Sequence, residues 1–333
     1  MGDIRWTVAP SSPVIRPGQL HGDADARLTA PGQVIRVGDR YRMYYWGSSP
    51  AGENHIFIAE SPVDQLNEWV GLGPVLGAQP DCPYNAKGPV IPMVLPRDDG
   101  PWLLYCGTNA AREPGTPFWW YTAAAMSDDE GLTWRYVTTQ PLIKPGNRCD
   151  AIGTGTVFVL RENDLYRMYY TACSALRDTP ARKNAPITGL GYAESADGLT
   201  WTRPSEDFLI PPRFDQVLPT AAGPYEDWIA KPFVIEDTDA AGQPMYRMWV
   251  SGKTPTYRVH QLISEDGLNW RYIDADRVHG DLGVGAPGSF DGVQRSYATV
   301  IREDQTYHMW YAGNGFGGEG MGYAVGVRTN EKL

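Results

Sequence analysis

Four carboxylates and one amide recur at matching places along this 333-residue chain: Asp25, Asn85, Asp150, Glu226 and Asp291. Each stands a few residues ahead of an apolar run, such as GQVIRV, GTVFVL, KPFVIE or YATVIR, with a one-residue gap at Glu226. Carboxylates that converge from separate segments can cleave a glycosidic bond. One protonates the leaving oxygen while another activates water or attacks the sugar. Like charges held together raise one pKa and keep that acid protonated near neutrality. Each Asp has a competing role, which is to cap a turn by accepting backbone N–H bonds. Glu226 is the least turn-like of the set. In an extended segment its neighbour Asp227 points the other way, and the same alternation bears on Asp23 and Asp25.

Basic residues accompany the acids: Arg27, Lys87, Lys231 and Arg295. They either neutralise the carboxylates or recognise an anionic sugar, with Arg112, Arg177, Arg182, Lys183 and Arg258 as further contributors. Of the histidines, His21, His55 and His260 fall in segments that can reach a substrate. None has metal-ligand spacing such as H-E-x-x-H. There is no glycine-rich phosphate loop and no serine nucleophile elbow. The cysteines, Cys82, Cys106, Cys149 and Cys173, lack C-x-x-C spacing and read as free thiols of a reducing cytoplasm. No cofactor is expected, although a cation such as calcium is compatible with an acidic channel.

A formal net charge of -10 argues against a nucleic-acid partner, which needs a lysine- and arginine-rich face. No apolar run reaches the roughly 18 residues of a membrane-spanning helix, so no membrane partner is expected. The first residues, MGDIRWTVAP, do not have the form of a signal peptide. A cytoplasmic location is the expectation.

The elements that must carry these side chains announce themselves by repetition. Trp6, Trp69, Trp134, Trp201 and Trp270 are spaced at nearly even intervals of roughly 63 to 69 residues. Three of them end the segments SDDEGLTWRY, SADGLTWTR and SEDGLNWRY, whose Asp-Gly or Glu-Gly steps mark tight turns between strands. Then come a proline-marked stretch (SSPVIRPG, QPLIKPG), the apolar strand, and a strand of the type YRMYYWG, LYRMYYTA, MYRMWVSG or TYHMWYAG, with PWLLYCG as the divergent copy. Alternating aromatics and methionine suit a half-buried strand. With 37 glycines and 28 prolines, a helical reading fails. Four-stranded antiparallel units repeated around an axis make a propeller. The expectation is therefore an all-β, five-bladed β-propeller that spans residues 1–333 as a single domain. No tryptophan segment follows MGYAVGVR, so the N-terminal strand should complete the last blade and remove two exposed edges. The regular tryptophans, and Arg42, Arg167 and Arg247 of the YRMYY-type strands, read as structural.

Strand order puts the tryptophan turns on one face. On the opposite face lie the starts of the inner strands and five variable loops: SSPAGENH, TNAAREPGTPFWW, CSALRDTPARKNAPITG, KTPTYR and NGFGGEG. Variable loops on a rigid scaffold are where sites are usually built.

This pattern of P-V-I-x-P-G, Asp, apolar strand, YRMYY-G and S-x-D-G-x-x-W resembles the five-bladed propeller glycoside hydrolases of families 32, 43, 68 and 117, over essentially the whole chain. The resemblance implies an Asp base or nucleophile on the first blade, an orienting Asp on the second and a Glu acid on the third. Asp25 matches the first role. The second blade has Asn85, with Asp81 nearby, and the third has Asp150, so the glutamate arrives on the fourth as Glu226. The W-M-N-D-P-N-G and A-D-P signatures of those families are absent. S-D-D-E-G-L-T-W also resembles the Asp-box of sialidases, but those have six blades. The expectation is hydrolysis, with inversion, of a small saccharide or glycoconjugate, for which the basic residues suggest an anionic form. Asp25 would be the base, Glu226 the acid, and Asp150 and Asp291 orienting carboxylates. Arg27, Lys87, Lys231, Arg295, His55 and Arg112 would bind substrate. The alternatives are a non-catalytic ligand-binding propeller and a lyase or cyclase on the same scaffold.

Overall fold

The computed structural model describes residues 4–110, 120–179, 182–212, 228–239, 241–253, 256–273 and 281–329. Nearly all regular structure is β. The strands lie in three four-stranded sheets and one seven-stranded sheet. The first sheet is a meander of β2 (Leu28–Val37), β3 (Arg40–Ser48), β4 (Asn54–Pro62) and β5 (Val70–Leu76). The second repeats it with β6 (Gly88–Leu95), β7 (Trp102–Asn109), β8 (Trp120–Ser127) and the short β9 (Arg135–Tyr136). The seven-stranded sheet consists of two antiparallel meanders. One is β10 (Gly153–Glu162), β11 (Leu165–Thr179) and β12 (Arg182–Ser195). The other is β13 (Trp228–Thr238), β14 (Pro244–Lys253), β15 (Tyr257–Ser264) and β16 (Arg271–Tyr272). A single parallel pairing, Thr188 beside Trp228, joins them. The last sheet holds β17 (Ser296–Glu303), β18 (Thr306–Ala312), β19 (Met321–Arg328) and the N-terminal β1 (Ile4–Val8), which lies along β19 with Ile4 opposite Arg328.

The inner strands β2, β6, β10, β13 and β17 are buried along most of their length, so they read as continuous apolar runs. Each contains a register shift where the ladder is interrupted, between Pro31 and Gln33 in β2 and between Ala230 and Phe233 in β13, for example. Such bulges twist a strand strongly.

The tryptophan turns bind the meanders to one another. In three of them, before Trp134, Trp201 and Trp270, an Asp carboxylate collects local donors; Asp266 accepts the backbone N–H groups of Leu268 and Asn269 at 2.8 and 2.7 Å. The following glycine adopts positive φ, 82° at Gly131, and offers its carbonyl to a tyrosine of the preceding meander. Tyr44 donates to Gly131, Tyr105 to Gly198 and Tyr169 to Gly267, at 2.8–3.0 Å. A side chain at Gly131 would collide with the Tyr44 hydroxyl. The same tyrosines meet tryptophans edge-on: Tyr44–Trp134, Tyr105–Trp201 and Tyr169–Trp270 have centroids 5.7–6.1 Å apart. Trp249 of β14 continues the series onto Trp6 at 6.4 Å, and Trp310 of β18 returns to Trp69 at 5.9 Å. Each such pair contributes about 0.5–1.5 kcal/mol beyond its area burial.

Two expectations need correction. The stretch CSALRDTPARKNAPITG is not a loop, because β11 and β12 continue through it as paired strands, with Ala175 opposite Ile187 and Arg177 opposite Ala185. Among the described residues the third meander also has no fourth ladder strand. Thr202 and Ile210 instead make isolated bridges to Glu194 and Leu190.

Candidate functional site

Antiparallel pairing puts the starts of the inner strands and the loops after the second strands at one end of every sheet: Leu28 faces Ser48, and Gly88 faces Asn109. Three of the aligned acids share one arrangement there. Tyr45 donates to Asp25 at 2.8 Å, Tyr170 to Asp150 at 2.8 Å and Tyr311 to Asp291 at 2.7 Å. Burial, reinforced by the adjacent carboxylate, pushes each phenol well above its ordinary range, so it stays a donor. The second meander has Cys106 in place of the tyrosine, and Asn85 turns to Gln79 at 3.2 Å.

The remaining bonds separate the acids. Asp150 is fully buried and accepts Arg203 Nη1 at 2.6 Å and the backbone N–H groups of Gly146 and Asn147 at 3.0 and 2.8 Å. Asp291 pairs with Arg295 Nη2 at 2.7 Å and accepts the Ser289 hydroxyl at 2.9 Å. Asp150 thereby holds the backbone ahead of β10 in place, as turn-capping aspartates do, whereas Asp291 is bonded by side chains. Asp25 is equally buried, yet among the described residues its Oδ1 has no partner and no arginine pairs with it. Burial raises its pKa, and the Tyr45 bond only partly offsets this. Nearby, His21 stacks on Phe57 at 4.6 Å, and burial depresses its pKa. All three aspartates are buried.

The basic candidates divide in the same way. Arg27 and Lys87 are exposed, His55 is half-buried beside Phe57, and Arg295 is committed to Asp291. Lys231, expected to face a ligand, is buried in the ring interior instead. It sits at a bulge with φ 53°, and its Nζ donates to the carbonyls of Gly32 in β2 and Ala298 in β17, 4.8 Å above the Phe233 ring. Burial drives its pKa well below the usual lysine range. Glu226, Asp227 and Arg112 lie outside the described residues. Among the described residues, no three His, Cys, Asp or Glu side chains are grouped to hold a metal ion.

The sequence reading missed an aromatic corner where β13 begins, two residues after Glu226. Trp228 meets Trp120 of β8 edge-on at 4.9 Å and Tyr257 of β15 at 6.4 Å, while Lys253 Nζ lies 6.0 Å from the Trp228 ring. FWW, which leads into β8, and DWI, which opens β13, were the available signals, since neither Trp120 nor Trp228 keeps the period of the structural five. A cavity of ≈ 790 Å³ opens at the other end of the inner strands, among Arg36, Tyr41, Phe158, Phe233, Arg302 and Asp304, far from the aligned acids.

No family model matches the chain. It is 28% identical over 292 residues, 86% of this chain and 88% of the other, to Uncharacterized protein Rv1502 of Mycobacterium tuberculosis. Among solved structures it resembles BT0996 in its RGII complex, at 18% identity and TM-score 0.65 over 90% of this chain and 86% of that one. It also resembles a thermostable family-43 glycoside hydrolase, at 14% identity and TM-score 0.61 over 93% and 91%. A third is Zg3597, a family 117 glycoside hydrolase of Zobellia galactanivorans, at 13% identity and TM-score 0.62 over 98% and 91%. The chain thus has the fold of the propeller-type glycoside hydrolases.

Proposed function

We propose that this protein is a five-bladed propeller that cleaves a glycosidic bond of a small saccharide or glycoconjugate. The observation that carries the reading is fold likeness along nearly the whole chain to glycoside hydrolases, including families 43 and 117. The five tyrosine- or tryptophan-to-tryptophan contacts, running from meander to meander and back to Trp69, support the blade count. Glu226, two residues ahead of Trp228 in sequence, acts as general acid. Asp25 is the second carboxylate, because its unpartnered oxygen leaves it a lone pair to receive a proton. Asp150 and Asp291 position the inner-strand starts through their arginine partners. Exposed Arg27 and Lys87 favour an anionic group on the substrate.

The test is turnover of a panel of 4-nitrophenyl glycosides. Glu226→Gln should lower kcat by about 10²–10⁴-fold on any substrate found, and undiminished turnover would remove the acid assignment. Proton NMR of the first-formed anomer should show inversion. A second reading, a binding propeller without catalysis, is favoured by the saturated bonding of Asp150 and Asp291. It predicts sugar binding with no turnover across the panel.

A further inference from the structure

Three junctions between neighbouring meanders repeat one hydrogen-bonded unit. A carboxylate near the end of an inner strand pairs with a basic residue on the second strand of its own meander. It also accepts a phenol from the following meander. Glu162 of β10 lies 3.1 Å from Arg167 Nε and accepts Tyr246 of β14 at 2.5 Å. Asp237 of β13 lies 2.6 Å from Arg247 Nε and accepts Tyr307 of β18 at 2.9 Å. Glu303 of β17 accepts Tyr41 of β3, so this third unit joins the last meander to the first. Its basic partner is His308, which takes the place of Arg42, Arg167 and Arg247 in the repeat, with Nε2 3.4 Å from the carboxylate. An arginine stays charged throughout, whereas an imidazole changes charge near neutrality.

The surroundings of His308 favour its neutral form. Its side chain is 12% exposed, against 40% for that of Glu303. Nδ1 lies 2.6 Å from the Tyr323 hydroxyl of β19, and the two rings stack within 2° of parallel. Burial pushes the Tyr323 phenol up to about 12, so it stays a donor and Nδ1 is left to accept. Nε2–H then faces Glu303. Protonation makes Nδ1 a donor as well, and the Tyr323 hydrogen must turn away. The carboxylate at 3.4 Å is farther than the roughly 2.7–2.9 Å of a charge-assisted bond. Burial therefore depresses the His308 pKa, and Glu303 only partly offsets this. Across the ladders His308 stands opposite uncharged Ile301 and Val325, while Arg302, next to Glu303, turns to Asp237. Tyr41 and Glu303 line the cavity of ≈ 790 Å³, which gives water access to the unit.

We infer that the closing junction is an acid-sensitive latch: mild acid loosens the contact between the last and first meanders, while the two arginine-held junctions stay closed. The native pKa of His308 lies below the unfolded value of about 6.5, so in the window between them the folded state binds fewer protons. The contribution of the latch is complete above about pH 6.5 and is lost as pH falls towards the native pKa.

Backbone hydrogen exchange of the full chain tests this, read by mass spectrometry at about pH 7.5 and 5.5 and corrected for intrinsic rates. On acidification, protection of β1, β17, β18 and β19 should fall several-fold relative to β10, β11 and β12, by at most about tenfold per pH unit. His308→Gln keeps a hydrogen-bonding side chain that does not titrate, and His308→Arg restores the residue of the other two junctions. In both variants the relative protection should be the same at the two pH values. The imidazole NMR signal that His308→Gln lacks should titrate below about 6.5 in wild type. If His308→Arg does not fold, His308→Gln and the NMR titration decide the matter by themselves. Acid loosening spread evenly over all sheets, loosening that persists in His308→Gln, or an imidazole that titrates at or above about 6.5 overturns the latch.

Discussion

Asp25, Asp150 and Asp291 accept the same tyrosine bond, but their surroundings make them chemically unequal. Asp150→Asn removes the charge that Arg203 is bonded to and should cost about 2–4 kcal/mol in urea unfolding, since one member of a buried pair is left alone. If Asp150 only positions backbone, the folded fraction of that variant keeps its kcat. Asp25 behaves differently with pH. Its native pKa lies above the unfolded value of about 3.9, so between the two the folded state binds more protons. Stability from this group is therefore greatest at low pH and declines as pH rises through the native pKa. The stability of Asp25→Asn relative to wild type should increase from about pH 4 upward. A pH-independent difference would mean that the carboxyl is not desolvated in the native protein. The sequence aligned these acids correctly. It could not separate them, because their arginines come from a different distance in each case, 53 residues on for Asp150 and four for Asp291.

At the scale of elements, the tryptophan turns are small electrostatic devices. Bonds from the Thr133 hydroxyl and backbone N–H hold the Asp129 carboxyl at about 2. Its contribution is thus present above the unfolded pKa and lost as pH falls towards 2. Asp129→Ala should cost about 0.5–2 kcal/mol at pH 7, as loss of a cap does, and nearly nothing at the acid end of a pH series of urea melts. β1 is the other decisive element. Trp6 donates to Asp281 at 2.7 Å and meets Trp249 and Tyr307 edge-on. Deletion of residues 1–8 removes that contact and exposes the β19 edge, so light scattering should report association. The β11–β12 arm was the element least legible in sequence. Its proline, arginine and aspartate content reads as loop, and only pairing across Ala175–Ile187 and Arg177–Ala185 makes it strand.

For the whole molecule, the cycle of aromatic contacts means that no sheet is terminal. Ile4 lies opposite Arg328, so the first and last strands are neighbours. A circular permutant that joins residue 333 to residue 1 and opens the chain between exposed Gly242 and Gln243 should fold with a Tm within several degrees of wild type. Failure to fold would show that β1 must dock from a free end rather than as part of a hairpin.

The sequence by itself determined the repeat, the strand types, the turns and the place of the N-terminal strand. All of these follow from periodic apolar residues and from glycine and aspartate chemistry within a few residues of each other. The tertiary structure decided which polar groups are spent and which are left over. Lys231, read from sequence either as neutralising carboxylates or as binding a ligand, has its amine bonded to carbonyls of β2 and β17, far away in sequence. Trp120 and Trp228, outside the tryptophan period, meet edge-on at one corner. Local chemistry sets how each unit folds. Desolvation and pairing between units set what each side chain can do, and those depend on neighbours that a linear pattern does not contain.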